Sequence, residues 1–518
     1  MGNRAKRGRN PGATIEVLAL NLRWRLRSLG ATAALAAGLL GVGCAPASAP
    51  LVSTRLHPCA STEGPTDAYC GGLEVYENRE TAAGRRIRLQ IVVLPSISSD
   101  VHADPLVFLA GGPGQAAAQM ASLIQPMFRK VQRTRDIVLV DQRGTGKSNP
   151  LNCRAGGDSL HDLTESDDRA IENLQGCLAR LPGDPRLYTT TIAMDDLDEV
   201  RSYLGYDRVN LYGGSYGTRA ALVYLRRHGD RVRSIVLDGV APMDMRLPVY
   251  AARDAQRALD KLFADCEHDA SCRAAYPGLS ERVRALFARL DAQPPHVRVP
   301  HPRTGVAEDI EVSSKVVASI MFTALYSPLT ASILPSLIER AEHDDFQGLL
   351  ALAFAGESAT DAMSLGMQLS VLCSEDSPRY TADDIQREAS GTIFGTRLLT
   401  GQVKACQFWP KGAVDPSYYA PVVSNAPALV LSGELDPVTP PAWGAEVASH
   451  LRAGRHIVMP GTGHGVAATA CGNTLMSDFI ERGGVDGLDA TCTRNVQRPD
   501  FFLTPAGPEP AQVARAAR

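Results

Sequence analysis

The chain has 518 residues, enough for two domains or for one domain carrying a large insertion. Apolar residues make up 44% and charged residues 21%, with 46 Gly and 34 Pro, which excludes a collagen-like, fibrous or low-complexity protein. The net charge is −3, from 53 basic and 56 acidic side chains, so there is no basic footprint and nucleic acid is not expected as a partner.

That charge is uneven along the chain. Residues 1–27 hold Arg4, Lys6, Arg7, Arg9, Arg23, Arg25 and Arg27 against Glu16 alone, a net of +6 that leaves −9 on the rest. The uncharged run 28–44, SLGATAALAAGLLGVGC, follows. A basic region before a short apolar one is the pattern of a secretory signal, and the run is too short and Gly-broken for a spanning helix of about 20 residues. It ends in Gly43-Cys44, which resembles the cleavage box of bacterial lipoproteins, whose cysteine is lipidated. Gly41 departs from that box, which carries Leu, Val or Ile there. Cleavage after Ala47-Ser48-Ala49 is the alternative, although Pro50 would then follow the cut, and an uncleaved anchor is a third reading. Residues 1–49 are therefore expected to be an export signal and linker. The mature protein is expected to be periplasmic, secreted or held in the cell envelope by a lipidated Cys44.

Eleven cysteines fit that address. Setting Cys44 aside leaves ten in near-neighbour pairs: Cys59 and Cys70, Cys153 and Cys177, Cys266 and Cys272, Cys373 and Cys406, Cys471 and Cys492. Five disulfides closing short loops are the simplest framework, though sequence alone leaves other connectivities open. None of the spacings is a zinc pattern, and neither metal nor organic cofactor is expected.

Short apolar runs at 106–109, 137–140, 209–212, 235–237, 428–431 and 456–459 end in Gly- or Asp-containing turns, as strands buried on both faces do. A helical pattern at 191–203 lies between two of them. The alternation indicates an α/β fold with a mostly parallel sheet over 50–244. It stops after 237. Residues 245–410 read as helical, with Leu259, Leu262, Phe263 and Cys266, and then Val283, Leu286, Phe287 and Leu290, at i, i+3, i+4, i+7. Ser280 is the expected N-cap of the second helix. Strand character returns in 411–502, so 245–410 is expected to be a helical cap inserted in one core. The Pro- and Ala-rich end 503–518 is expected to fray.

The run Val209 to Gly217, VNLYGGSYG, is a strand entering G-x-S-x-G ahead of an apolar helical stretch. A nucleophile on so sharp a turn needs small neighbours, which Gly213 and Gly217 supply. Asp436 and then His464 each follow a late strand, giving the order Ser, Asp, His. A hydroxyl is a poor nucleophile at neutral pH, so His464 would take the Ser215 proton while Asp436 holds the imidazole tautomer. Asp238, also past a strand, is the reserve acid. The glycines of Ala110-Gly111-Gly112-Pro113-Gly114 allow close approach to a substrate oxygen, and the amides of Gly112 and Tyr216 are the candidate oxyanion hole. Gly144-Thr145-Gly146-Lys147-Ser148 ends like a phosphate-binding loop, but that pattern needs Gly where Asp141 stands.

In this order, AGGPG, DQRGTGKS, GGSYG, GELDPVTP and GTGHG resemble the α/β-hydrolase-fold serine aminopeptidases: the proline iminopeptidases and, more closely, the secreted tripeptidyl-type enzymes of bacteria. The likeness runs from about Cys70 to Cys492. It implies an α/β-hydrolase fold with a helical cap, a peptide substrate, nucleophile Ser215, acid Asp436, base His464 and oxyanion donors Gly112 and Tyr216. Ala110 stands where proline iminopeptidases carry His, which favours the tripeptidyl-type branch. Cys373-Ser374-Glu375-Asp376 resembles an acidic segment of that branch, which implies Glu375, with Asp376 in reserve, as the binder of the substrate's free amine. An esterase on the same triad and a non-catalytic peptide-binding lipoprotein are the alternatives.

Overall fold

A computed structural model of the protein describes residues 52–153, 159–355, 363–504 and 507–508. The signal segment with Cys44, and most of the 503–518 tail, lie outside these residues.

Nine strands form one sheet: β1 (His57–Pro58), β2 (Tyr69–Tyr76), β3 (Arg86–Leu94), β4 (Leu106–Leu109), β5 (Ile137–Val140), β6 (Val209–Gly214), β7 (Val232–Asp238), and, after a separate hairpin of β8 (His296–Pro300) and β9 (Ala307–Glu311), β10 (Ala428–Gly433) and β11 (Gly454–Met459). The order across the sheet is β1-β2-β3-β5-β4-β6-β7-β10-β11. From β5 to β11 all neighbours run parallel, while β1, β2 and β3 add an antiparallel edge. This is the α/β-hydrolase fold expected from sequence.

The six strands predicted from apolar runs are the parallel part. Helices cover both faces of its inner strands, so these need apolar side chains on both faces rather than on one; the edge strand β11 departs from that expectation, with Val458 40% exposed. Leu211, Val223, Ile235 and Val430 belong to one buried cluster, and Phe108, Val236, Leu431 and Phe479 to the other. Each fully buried aliphatic side chain is worth about 1.5–3 kcal/mol, and the two clusters hold the sheet between its helices. The strand β2 escaped prediction because Gly71-Gly72 interrupts its pattern. At Gly72 an added Cβ would stand 2.6 Å from the Leu89 carbonyl of β3, so the closely paired ladder itself requires glycine there.

Between β7 and β10 the chain forms a helical insertion with its own apolar core. Leu259, Leu262, Phe263, Val283, Leu286, Phe287 and Leu290 are buried in it, as the periodicity predicted. Two features differ from the sequence expectation. The β8–β9 hairpin interrupts the helices. The helix Leu279–Ala292 also begins before Ser280: its N-cap is Gly278 at φ +63°, a left-handed position that favours glycine over serine. A second excursion, between β5 and β6, joins the insertion, for Ser159 donates to Glu308 at 2.6 Å and Lys404 pairs with Asp168 at 3.0 Å. Conversely, Met367 and Val371 of the insertion pack in the core of the sheet.

All five neighbouring cysteine pairs are disulfides: Cys59–Cys70, Cys153–Cys177, Cys266–Cys272, Cys373–Cys406 and Cys471–Cys492.

Candidate active site

Ser215 stands between β6 and the helix Tyr216–Arg227, at φ +57° and ψ −127°. A non-glycine residue in this region costs about 1–3 kcal/mol and persists only where its surroundings over-determine it. Here the Ser215 amide donates to the Asp238 carbonyl at 2.9 Å, and its carbonyl accepts from the Thr218 hydroxyl at 2.6 Å. The glycines of the motif have the predicted purpose. A Cβ on Gly217 would run into the Leu109 carbonyl, and one on Gly213 into the Gly217 carbonyl. The turn thus crosses the end of β4 with no room for a side chain.

Asp436 is buried past the end of β10. Its Oδ1 accepts the amides of Val438 and Thr439, both at 2.8 Å, and its Oδ2 accepts the Thr439 hydroxyl at 2.8 Å. The same Oδ2 lies 2.8 Å from His464 Nδ1. Burial would raise the Asp436 carboxyl, but the His464 charge and hydrogen bond, with the Thr439 and Val438 amides, hold it below its usual range. Burial would equally make His464 less basic. The Asp436 charge and hydrogen bond, and then the Asp238 charge, outweigh burial and leave the imidazole more basic than usual.

The helical insertion holds both of these loops. Arg257 donates to the Asp436 carbonyl at 2.9 Å, and the Tyr326 carbonyl accepts the His464 amide at 2.8 Å. The Tyr326 ring stands edge-on to the imidazole, 5.1 Å between centroids. On the opposite side His464 packs over Gly239, where a Cβ would lie 3.0 Å from Cε1. Gly239 follows Asp238, whose carbonyl accepts the Ser215 amide, so Ser215 and His464 meet at the end of β7. With Nδ1 committed to Asp436, Nε2 is the nitrogen left for a proton from Ser215. Among the described residues the Ser215 hydroxyl makes no hydrogen bond to His464, and such bonds commonly tighten only in the substrate complex.

The glycine loop after β4 lies against Ser215: a Cβ on Gly111 would stand 3.2 Å from Ser215 Cβ. Gln115 Oε1 accepts the Gly111 amide at 3.0 Å and holds the loop. Neither the Gly112 nor the Tyr216 amide donates to a group among the described residues, which leaves both able to bind an oxygen. Behind the loop Asp141 accepts the amides of Ala118 at 2.7 Å and Lys147 at 3.0 Å, and burial pushes its carboxyl up to about 6. Lys147 Nζ donates to the Thr62 carbonyl, so the segment 144–148 is an internal brace rather than a phosphate cradle.

Glu375 and Asp376 do not take the place expected of an amine site. The turn Leu372–Asp376 has π-helical hydrogen bonding and, next to the Cys373–Cys406 bridge, rolls both acids inward. Asp376 forms a buried ion pair with Arg219 of the helix Tyr216–Arg227 at 3.0 Å and accepts the Leu247 amide. Glu375 accepts the Thr190 amide at 2.6 Å, the Thr190 hydroxyl at 2.9 Å and the Tyr418 hydroxyl at 2.5 Å. Burial raises both carboxyls above their usual range. With exposures of 1% and 0%, both are buried among protein partners. Glu375 instead backs Tyr216, since Thr190 Oγ1 also lies 2.6 Å from the Tyr216 hydroxyl.

Sequence reasoning missed Thr439 and Tyr326. Thr439 was within reach, because Asp-Pro-Val-Thr carries the pattern of an Asx turn. Tyr326 comes from the insertion through long-range packing and leaves no local signal.

The chain is similar to known proteins over most of its length. A family model described as the alpha/beta hydrolase fold matches residues 104–469. The chain is 26% identical over 474 residues to serine protease Hip1 of Mycobacterium tuberculosis, covering 84% of this chain and 90% of that protein. It is 24% identical over 487 residues to the tripeptidyl aminopeptidase of Streptomyces coelicolor, covering 87% and 88%. Among solved structures, the proline iminopeptidase of Mycobacterium smegmatis aligns at 18% identity and a TM-score of 0.38, over 80% of this chain and 98% of that one.

Proposed function

The chain belongs to the α/β-hydrolase fold family and is a serine hydrolase of it; from that premise we propose that it is a serine peptidase that cleaves peptides near a free N-terminus. The observation that carries the reading is the 2.8 Å contact of Asp436 with His464 beside a serine held at positive φ.

Ser215 Oγ attacks the scissile carbonyl carbon while His464 Nε2 accepts its proton. Asp436 keeps the other ring nitrogen protonated and offsets the positive charge that develops. The carbonyl oxygen, now negative, lies against the Gly112 and Tyr216 amides, in a site whose donors need no rearrangement. His464 then returns the proton to the leaving amine, and an acyl group remains on Ser215. Water, deprotonated by the same imidazole, releases it. Restriction to free N-termini follows the likeness to the tripeptidyl aminopeptidase of Streptomyces coelicolor. Glu375 and Asp376 are buried and hydrogen-bonded to the protein itself, which favours a different group as the receiver of the ammonium.

Export, the finer part of the reading, is supported by five disulfides, which form in oxidising compartments, and by the basic–apolar segment ending at Cys44. Lipidation of Cys44 would place the enzyme on a membrane surface.

A panel of peptide amides with free and with blocked N-termini, the released fragments weighed by mass spectrometry, tests the substrate. Short N-terminal fragments from the free peptides alone are expected. Equal cleavage of blocked peptides, or hydrolysis confined to simple esters, would overturn the assignment.

A further inference from the structure

One buried carboxylate beside these residues takes part in neither proton transfer nor oxyanion binding. Asp238 closes β7, in register with Gly214 of the nucleophile's strand on one side and Leu431 of the acid's strand on the other. Its main-chain carbonyl accepts the Ser215 amide at 2.9 Å. Its side chain reaches the opposite partner: Oδ1 accepts the Val466 amide and Oδ2 the Ala467 amide, both at 2.8 Å. Those two residues begin the turn that follows His464 and Gly465, the latter at φ +94°. The third donor is Tyr212, whose hydroxyl gives to Oδ2 at 2.9 Å. Tyr212 lies three residues before Ser215, with its ring packed against Phe108 and Phe128.

Every hydrogen bond made by the carbonyl and carboxylate of Asp238 therefore ends on the nucleophile's strand and turn or on the base's loop. Among the described residues three donors and no acceptor bond to the carboxylate, so its chemistry is specific. An amide of the same shape would direct an NH2 at a backbone N–H or a hydroxyl donor and leave buried groups unpaired. Burial raises the Asp238 carboxyl above its usual range; the Ala467 and Val466 amides and the Tyr212 hydroxyl act against that rise, so the carboxylate is a fixed charge only while they hold it.

We propose that Asp238 is a positioning residue for acyl transfer, clamping the His464 loop to the Ser215 turn and setting a negative charge toward the imidazole that becomes positive when Ser215 is deprotonated. Asp238 has this role only if Ser215, His464 and Asp436 act as proposed above. The other groups facing His464 are Asp436 and Thr439 at Nδ1 and Tyr326 edge-on from the insertion. Arg257 and Glu434 lie behind, the first on the Asp436 carbonyl and the second on the Gly461 amide. Of these, Asp436 and Asp238 raise the basicity of His464.

The test is Asp238→Asn, assayed for kcat, KM and the pH profile of kcat/KM on a peptide substrate, with Ser215→Ala alongside. Misplacement of the histidine loop is expected to lower kcat by about 10²-fold with KM near the wild-type value. Loss of the charge makes His464 less basic, so the acid limb of kcat/KM moves to lower pH. A merely structural residue would not move that limb. Wild-type kcat, or a loss confined to KM with the limb unmoved, would overturn the proposal. Should Asp238→Asn not fold, Tyr212→Phe removes a single donor and keeps the ring. A several-fold drop in kcat is expected from it, and wild-type kcat would refute the clamp. Activity surviving in Ser215→Ala would refute the nucleophile assignment itself, whereas an inert Ser215→Ala beside an unperturbed Asp238→Asn refutes Asp238 alone.

Discussion

Replacing Glu375 by Gln separates a carboxylate that binds substrate from one that holds the protein together. The side chain is 1% exposed and accepts three hydrogen bonds, from the Thr190 amide, the Thr190 hydroxyl and the Tyr418 hydroxyl. Gln keeps an oxygen for the Thr190 amide, and its NH2 meets two hydroxyls that can turn and accept. Arg219 retains Asp376. The change is therefore expected to cost about 1 kcal/mol of stability or less, the net worth of one rearranged hydrogen bond. Glu375→Ala is different. The Thr190 hydroxyl can turn to Tyr216, but the Thr190 amide and the Tyr418 hydroxyl lose their acceptor. At about 1–3 kcal/mol for each buried unpaired group, the loss is about 2–6 kcal/mol. The pH dependence has a definite sign. Burial raises the Glu375 carboxyl in the folded protein, so its favourable contribution is complete below the unfolded value near 4.5 and is lost as pH rises through the folded one. Gln cannot ionise, and Glu375→Gln should gain on the wild type in urea unfolding as pH rises. In activity, kcat/KM for a free-amine peptide and for an ester without an amine should change by the same factor. A tenfold or greater loss confined to the free-amine peptide, at unchanged stability, would refute this reasoning and return Glu375 to the substrate.

Ser215→Ala and His464→Ala should each lower kcat by about 10⁶ without altering the melting temperature much, and the double variant should lose little more, since the groups act as a unit. Because the Asp436 and Asp238 charges outweigh burial at His464, the acid limb of kcat/KM should lie above the ordinary imidazole value of 6.5, with activity lost as pH falls through it. Replacing Cys373 and Cys406 together by Ser opens a loop whose ends are 33 residues apart; chain entropy predicts a loss of about 3.5–4 kcal/mol in urea unfolding. An unchanged unfolding midpoint would show that the Glu375 turn is held by its buried ion pair and hydrogen bonds alone.

What the sequence disclosed followed from how local each signal is. The parallel strands were legible because burial on both faces demands unbroken apolar runs, as in Leu106–Leu109 and Ile137–Val140. Ser215 was legible because its turn needs Gly213 and Gly217, and the cysteines because each pairs with its neighbour along the chain. The surroundings of the acid pair were not legible, for a physical reason. Two adjacent carboxylates in the polar run CSEDSPR suggest a surface or a ligand, yet the partner of Asp376 is Arg219, 157 residues away in sequence on the helix that follows Ser215. The Tyr326 and Arg257 contacts from the insertion, and the Asp238 link to Val466 and Ala467, are equally non-local. Each depends on the sheet order bringing β6, β7 and β10 side by side.

The central claim is that Ser215 is the nucleophile of a serine peptidase, and covalent labelling tests it most directly. The folded protein, treated with a fluorophosphonate, digested and mapped by mass spectrometry, should carry one adduct, on the peptide containing Ser215. A peptide substrate should slow its formation, and His464→Ala should nearly abolish it. An adduct on another serine, or labelling that persists in Ser215→Ala, would contradict the assignment.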